Sequence, residues 1–318
     1  MKASKITARL FAGCTLAVML LLQQACGDKA GSTKESSKYD SPRQGTIHIS
    51  VDESFKPVID EQIKVYESSF PDAHIIAEYK PEAECFRDLQ KDSTRMIIVA
   101  RGLTSQEIAY YKQQLGYKPL FDLLAFDAVD VIIHPDAKDS VFTLKQLHSI
   151  LAGEQPDKIV AVDGKNATST VRYLMDSVMR GTAFGKNVTA AADSKGVLDY
   201  VAQTKNAIGF VGSSWVGNQQ DPAQRAYNNK IKLALVECRN CEKDIFAKPS
   251  QATVSYDQYP LVRPLFYILK ENSSGLGMGF MNFMSLERGQ LIFRRSLLVP
   301  AKMYFGIRKG DLSGEKSK

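Results

Sequence analysis

The sequence predicts an α/β protein with mostly parallel sheets, packed in two parts. Short apolar runs of strand length alternate with segments of helical periodicity, the pattern of parallel strands flanked by helices. The chain has 318 residues, 44% hydrophobic and 24% charged, which is long enough for two packed units rather than one. Its body holds no apolar run of 18 residues or more, so nothing there is predicted to span a membrane.

Taken in order, Thr46 to Val51 reads as a strand from its alternating β-branched residues. Apolar positions at Phe55, Val58, Ile59, Ile63 and Tyr66 then predict a helix over Phe55 to Phe70, broken by Pro71-Asp72. His74 to Tyr79 is a second strand, and the continuous apolar run Arg95 to Ala100 is a buried parallel one. Thr104 opens a helix with Glu107 three residues on, a capping box. Phe121 to His134 is one strand or two, and Thr143 starts a short helix. A strand at Ile159 to Val162, helices at Ser169 to Met179 and Lys195 to Gln203, and a strand at Ala207 to Val211 follow. Open sheets of this kind bind ligands beyond the carboxyl ends of their strands. The turns after Val51, Tyr79, Ala100 and Val162 are therefore the candidate site.

The N-terminus is a leader. Lys2, Lys5 and Arg9 precede the apolar run Leu10 to Leu22, and Gln23-Gln24-Ala25-Cys26 ends it, so residues 1–25 read as a secretory signal. The cysteine after Ala25 makes the segment resemble a bacterial lipoprotein signal, in which Cys26 is lipidated; a plain cleaved signal is the competing reading. Residues 26–44 are rich in Gly, Ser, Lys and Asp, as a flexible tether is. The leader carries three positive charges and no Asp or Glu, so the net charge of +6 falls to +3 on a mature chain without a dense basic block. Nucleic acid is excluded as a partner on that ground. Cys238 and Cys241 form C-R-N-C, a poor zinc signal without a second pair; in an exported protein it favours a local disulfide. Cys85 is then single and buried.

The richest stretch is Lys158 to Met175. A strand meets a polar turn, and Thr168, Ser169 and Thr170 open a helix that carries Arg172. Hydroxyls and a guanidinium there suit an oxyanion, although Ser and Thr are also ordinary helix caps. Ser54, beside Asp52 and Glu53, is open to the same two readings. His48, His74, His134 and His148 are scattered without ligand spacing and read as structural or surface residues. With no metal-ligand cluster and no nucleophile paired to a histidine, the chain is read as a non-enzyme without metal or cofactor. Trp215 either lines the cleft or packs between helices, packing being the simpler reading.

Six spaced blocks together resemble one family. They are SVDESFKPVI, VARGLTSQE, LKQLHSILAGE, ATSTVRYL, NAIGFVG, and YPLVRPLFYILK with GFMNFMSLERGQ. In this order they cover Gly45 to Pro300 and resemble the phosphate-binding lipoproteins of ABC transporters, in the type II periplasmic-binding-protein superfamily. The resemblance implies two α/β lobes joined by two hinge crossovers, residues 45–124 with 252–312 forming lobe 1 and residues 125–251 lobe 2. It implies a monomer, lipid-anchored to a bacterial membrane in the periplasm or at the cell surface, that passes inorganic phosphate to a permease.

Carried over by position, the resemblance places Ser54 and Phe55 at the anion from one lobe, and Thr168, Ser169, Thr170 and Arg172 from the other. Two departures bear on the ligand. The Gly- and Ser-rich turn expected after the second strand is replaced by Lys80-Pro81-Glu82-Ala83-Glu84-Cys85-Phe86. The aspartate expected after the third strand is replaced by Ala100, with Arg101 beside it. The expectation is that Glu84 takes over as acceptor and Arg101 supplies lost donors. The alternative is an oxyanion-sensing or scaffold lipoprotein with a different ligand.

Overall fold

The computed structural model describes residues 40–164, 168–218 and 220–303. The signal segment, Cys26 and the predicted tether up to Tyr39 lie outside the described residues, as does lobe 1 beyond Met303. The first half consists of β1 (Gly45–Asp52), α1 (Lys56–Ser69), β2 (Ala73–Lys80), α2 (Glu82–Leu89), β3 (Thr94–Val99) and α3 (Ser105–Leu115). From it β4 (Leu120–Ile133) leads into β5 (Val141–Phe142), α4 (Leu144–Leu151), β6 (Ile159–Val162), α5 (Ser169–Tyr173), β7 (Val188–Ala190), α6 (Ser194–Gln203) and β8 (Ala207–Gly212). Next come α7 (Pro222–Asn228), β9 (Lys232–Leu233), β10 (Leu235–Glu237), β11 (Phe246–Ala247) and α8 (Gln251–Ser255). The chain then returns through β12 (Val262–Leu269), α9 (Leu276–Ser285), α10 (Glu287–Arg295) and β13 (Val299–Pro300).

Strands follow the order β2-β1-β3-β12-β4-β8-β6-β7. Parallel pairs lie at both ends, β1 with β2 and β3, and β6 with β7 and β8. Between them β12 and β4 run antiparallel and carry the chain across in each direction. The two halves therefore share one continuous sheet. Leu120 to Ala128 of β4 pair with β12, and Val129 to Ile133 pair with β8, so one strand serves both halves. This settles the segment Phe121 to His134 as a single strand of 14 residues.

Each half has its own core on both faces of its strands. Ile47, Ile49 and Val51 of β1 pack with Phe55, Ile59, Phe280 and Phe293, while Ile97 and Val99 of β3 face Cys85 and Leu89 on the other side. In the second half Val160, Val162, Ile208 and Phe210 form one core, and Ala161, Val211, Val197 and Val201 the other. The period-2 alternation along each strand places successive residues on opposite faces, which is why strands buried on both sides read as unbroken apolar runs.

Local signals fix the helix starts. Thr104 with Glu107, and Thr143 with Gln146, form complete capping boxes. The helix expected over Ser169 to Met179 is α-helical only to Tyr173. It continues as a π-helical turn over Leu174–Met179 and stops at Arg180, whose φ of 48° is left-handed. Packing begins earlier than the composition of the tether suggests, because Arg95 grips the Asp40 carboxylate with bonds of 2.9 and 2.6 Å, and Asp40 also accepts the Leu276 N–H. Cys238 and Cys241 are joined by a disulfide, and Cys85 is free and buried.

Candidate functional site

The carboxyl ends of β1, β3 and β6 meet at the junction of the two halves. After β1 the chain makes one tight turn, Glu53–Phe55, before α1, and the Asp52 carboxylate caps that turn by accepting the Ser54 N–H at 3.1 Å. The turn holds Ser54 toward the second half, where its hydroxyl lies 3.2 Å from Asp163 Oδ2, 3.4 Å from Ser169 Oγ and 3.3 Å from Thr170 Oγ1. The Ser54 carbonyl accepts from Trp215 Nε1 at 3.0 Å and from the Ser214 hydroxyl at 3.3 Å. Trp215 thus positions the turn instead of only filling space.

From the second half, Asp163 follows directly on β6 and organises the start of α5. It accepts the hydroxyls of Thr168 and Thr170, each at 2.8 Å, while Thr168 Oγ1 also caps the helix by accepting the Val171 N–H. Thr168 therefore caps and faces the junction at once. Ser169 and Thr170 are fully buried, and both receive Arg263 Nη1, at 2.8 and 3.0 Å.

Arg263 comes from β12 and is the largest fully buried side chain among the described residues. Its guanidinium binds Asp127 Oδ2 through Nε at 3.1 Å and Nη2 at 3.0 Å, with both partners almost wholly out of water, at 1% and 0% exposed. It also lies over the Phe55 ring, 4.7 Å from the centroid. Burial pushes the Asp127 carboxyl up, and the adjacent guanidinium opposes that shift. Gly212 allows this close approach, since a Cβ there would come within 2.8 Å of Asp127 and 2.9 Å of Arg263.

Two further contacts cross the junction. Arg172 forks onto Glu82 with Nε–Oε2 at 2.6 Å and Nη2–Oε1 at 3.1 Å, and the same Glu82 Oε1 accepts the Ala100 N–H at 3.0 Å. Glu53 reaches the first residue of α6, accepting the Ser194 N–H and, at 2.9 Å, its hydroxyl. Burial first, and the Asp163 charge second, push the Glu53 carboxyl up to about 7.

The structure brings together Ser54, Phe55, Thr168, Ser169, Thr170 and Arg172 of the residues singled out in the sequence. Glu84 and Arg101 stand apart. Glu84 is half-exposed and pairs with Arg87 at 3.3 Å, whereas Glu82 is the glutamate buried at the junction. Arg101 turns away to Glu107, at 2.8 and 2.9 Å, and stacks over Phe86 at 3.6 Å. Asp163, Asp127 and Arg263 escaped the sequence reading. Each left a signal, being a charged residue at the end of or within an apolar strand. Among the described residues no group of His, Cys, Asp and Glu side chains is placed to hold a metal ion.

A family model for the PBP superfamily domain matches residues 36–287, and the chain belongs to that superfamily. It is 23% identical over 260 residues to the phosphate-binding protein PstS of Pseudomonas aeruginosa, covering 74% of this chain and 76% of that protein. A solved structure from Clostridium perfringens with bound phosphate aligns at a TM-score of 0.66 and 19% identity, over 81% of this chain and 100% of that one. An ABC-type phosphate transport receptor from Vibrio cholerae aligns at a TM-score of 0.58 and 17% identity, over 80% and 99% of the two chains. These likenesses establish the fold as that of type II periplasmic binding proteins.

Proposed function

We propose that this chain is an extracytoplasmic solute-binding lipoprotein that captures inorganic phosphate between its two lobes and delivers it to an ABC transporter permease. The observation that carries the reading is the buried convergence of the Ser54, Ser169 and Thr170 hydroxyls with the Arg263 guanidinium, from three separate stretches of chain, with the Thr168 hydroxyl held beside them on Asp163. A desolvated oxyanion needs many donors, because a buried charge left unpaired is prohibitive. In the proposed complex these donors turn from one another to the anion, Arg172 adds its fork, and the Phe55 backbone N–H joins them. Glu84 and Arg101 are left out of this set, since their charges are engaged by Arg87 and Glu107. The names of the relatives support phosphate as the anion. The lobes are taken as residues 45–124 with 252–312 and residues 125–251, hinged at β4 and β12.

Thermal unfolding in dialysed buffer with and without phosphate tests the reading. At phosphate about 100 times Kd, the native state gains about 2.7 kcal/mol, which raises Tm by roughly 4–5 °C. Equal molar sulfate is the control, and an unchanged Tm at millimolar phosphate sinks the proposal. The anchor is proposed to be an acyl group on Cys26, leaving a monomer tethered to the membrane surface. Mass spectrometry of the membrane-extracted protein is expected to show an acylated N-terminal Cys26; a mature N-terminus at any other residue rules the anchor out.

A further inference from the structure

Three buried side-chain oxygens among the described residues have no hydrogen-bond partner: Asp52 Oδ2, Gln62 Oε1 and Asn187 Oδ1. The two amides are held elsewhere through their nitrogens, Gln62 to the Gly289 carbonyl and Asn187 to those of Ile150 and Lys158. Asp52 is the ionisable one, is wholly buried, and stands at the junction itself. Its Oδ1 accepts the Ser54 N–H, and its surroundings are Ser169 and Asp163 from the second half, Glu82 and Cys85 from α2, Glu53 beside it and Arg263 from β12. Three of those neighbours are carboxyl groups. The one guanidinium is already forked onto Asp127.

From this placement we infer that Asp52 is a ligand-binding residue that carries a proton and donates it, as a hydrogen bond, to an unprotonated oxygen of the bound anion. A carboxylic acid buried in this way holds an O–H that the protein leaves without an acceptor, and an oxyanion oxygen supplies one. Ionised, the same group would face the anion with like charge in a site closed to water. Burial is the main cause that pushes Asp52 up to about 7; the Arg263 charge and a hydrogen bond with Ser169 oppose it, while the charges of Glu82 and Asp163 add to it. Binding that requires the protonated acid is therefore at full strength below about pH 7. It weakens about tenfold for each pH unit above that.

This inference deepens the phosphate reading and rests on it, and the test separates their failures. Calorimetric titration with inorganic phosphate compares the wild type with Asp52→Asn at pH 6, 7, 8 and 9. The amide N–H of the variant donates at every pH, and the ionisation of phosphate itself is common to both proteins and cancels in the ratio. Wild-type affinity relative to the variant is expected to fall about 100-fold between pH 6 and pH 9. Parallel profiles overturn the inference while leaving phosphate binding intact, and absence of phosphate binding in both removes both proposals. If the variant does not fold, carboxyl carbon-13 resonances of the wild type decide. An aspartate resonance that titrates near 7 in dialysed protein is expected to titrate higher in saturating phosphate; if no aspartate titration moves higher with phosphate, the inference is overturned.

Discussion

Replacing Arg263 with methionine is expected to destabilise the protein by about 3–5 kcal/mol, because it leaves the Asp127 carboxylate buried and unpaired. Asp127 is wholly buried, and among the described residues the hydrogen bond left to it without Arg263 is from the Ser213 N–H at 3.1 Å. The loss depends on pH in a defined direction. An acid whose folded-state pKa lies above its unfolded value favours folding at low pH and loses that contribution as pH rises. Arg263→Met is therefore expected to be closest to wild type near pH 4 and to fall behind as pH rises toward neutrality. Adding Asp127→Leu removes the stranded charge and should restore most of the stability, since apolar replacement of a buried pair is often neutral or better. It should not restore binding, because Ser169 and Thr170 still lack the guanidinium that orients their hydroxyls. Urea unfolding measures the first effect and phosphate titration the second. A single variant within 1 kcal/mol of wild type at pH 7 contradicts the assignment of a buried, charged pair.

The same residues show where sequence reasoning runs out. Ser54 and Thr168 to Thr170 were legible because a hydroxyl at a strand-to-helix turn is a local signal, and so was the capping box at Thr104. Arg263 was not, because it reaches the hydroxyls from β12, more than ninety residues along the chain. No spacing rule links such positions. Glu82 and Glu84 sit in one turn of α2, where residues two apart do not share a face. Their burial decides between them, and burial depends on packing against β3 and α5. Arg101 was drawn away by Glu107, whose carboxylate also closes the α3 capping box. The shared strand β4 was hidden for the same kind of reason. The sequence showed the extent of the apolar segment but left it as one strand or two, while its two successive partners were set by tertiary pairing.

On the proposed two-lobe reading, Glu82 also sets the second large effect, in how the lobes come apart. Its carboxylate is buried at the start of α2, takes both nitrogens of the Arg172 fork and the Ala100 N–H, and so spends on a side chain the donors that a captured anion needs. A charge-assisted contact of this kind contributes about 2 kcal/mol, and Glu82→Gln keeps its shape while removing its charge. Two results are expected from that variant. In phosphate-free buffer the equilibrium shifts about thirtyfold toward separated lobes, and the radius of gyration rises above the roughly 19 Å of a compact body of this size. Phosphate affinity rises, by about tenfold or more, because the anion no longer displaces a carboxylate from Arg172 and Ala100. Arg172→Ala should share the first effect and reverse the second, as it removes the latch and the fork together. X-ray scattering and phosphate titration on the two variants read these outcomes separately. If Glu82→Gln scatters like wild type and binds phosphate no better, the glutamate neither holds the lobes together nor competes for the anion's donors.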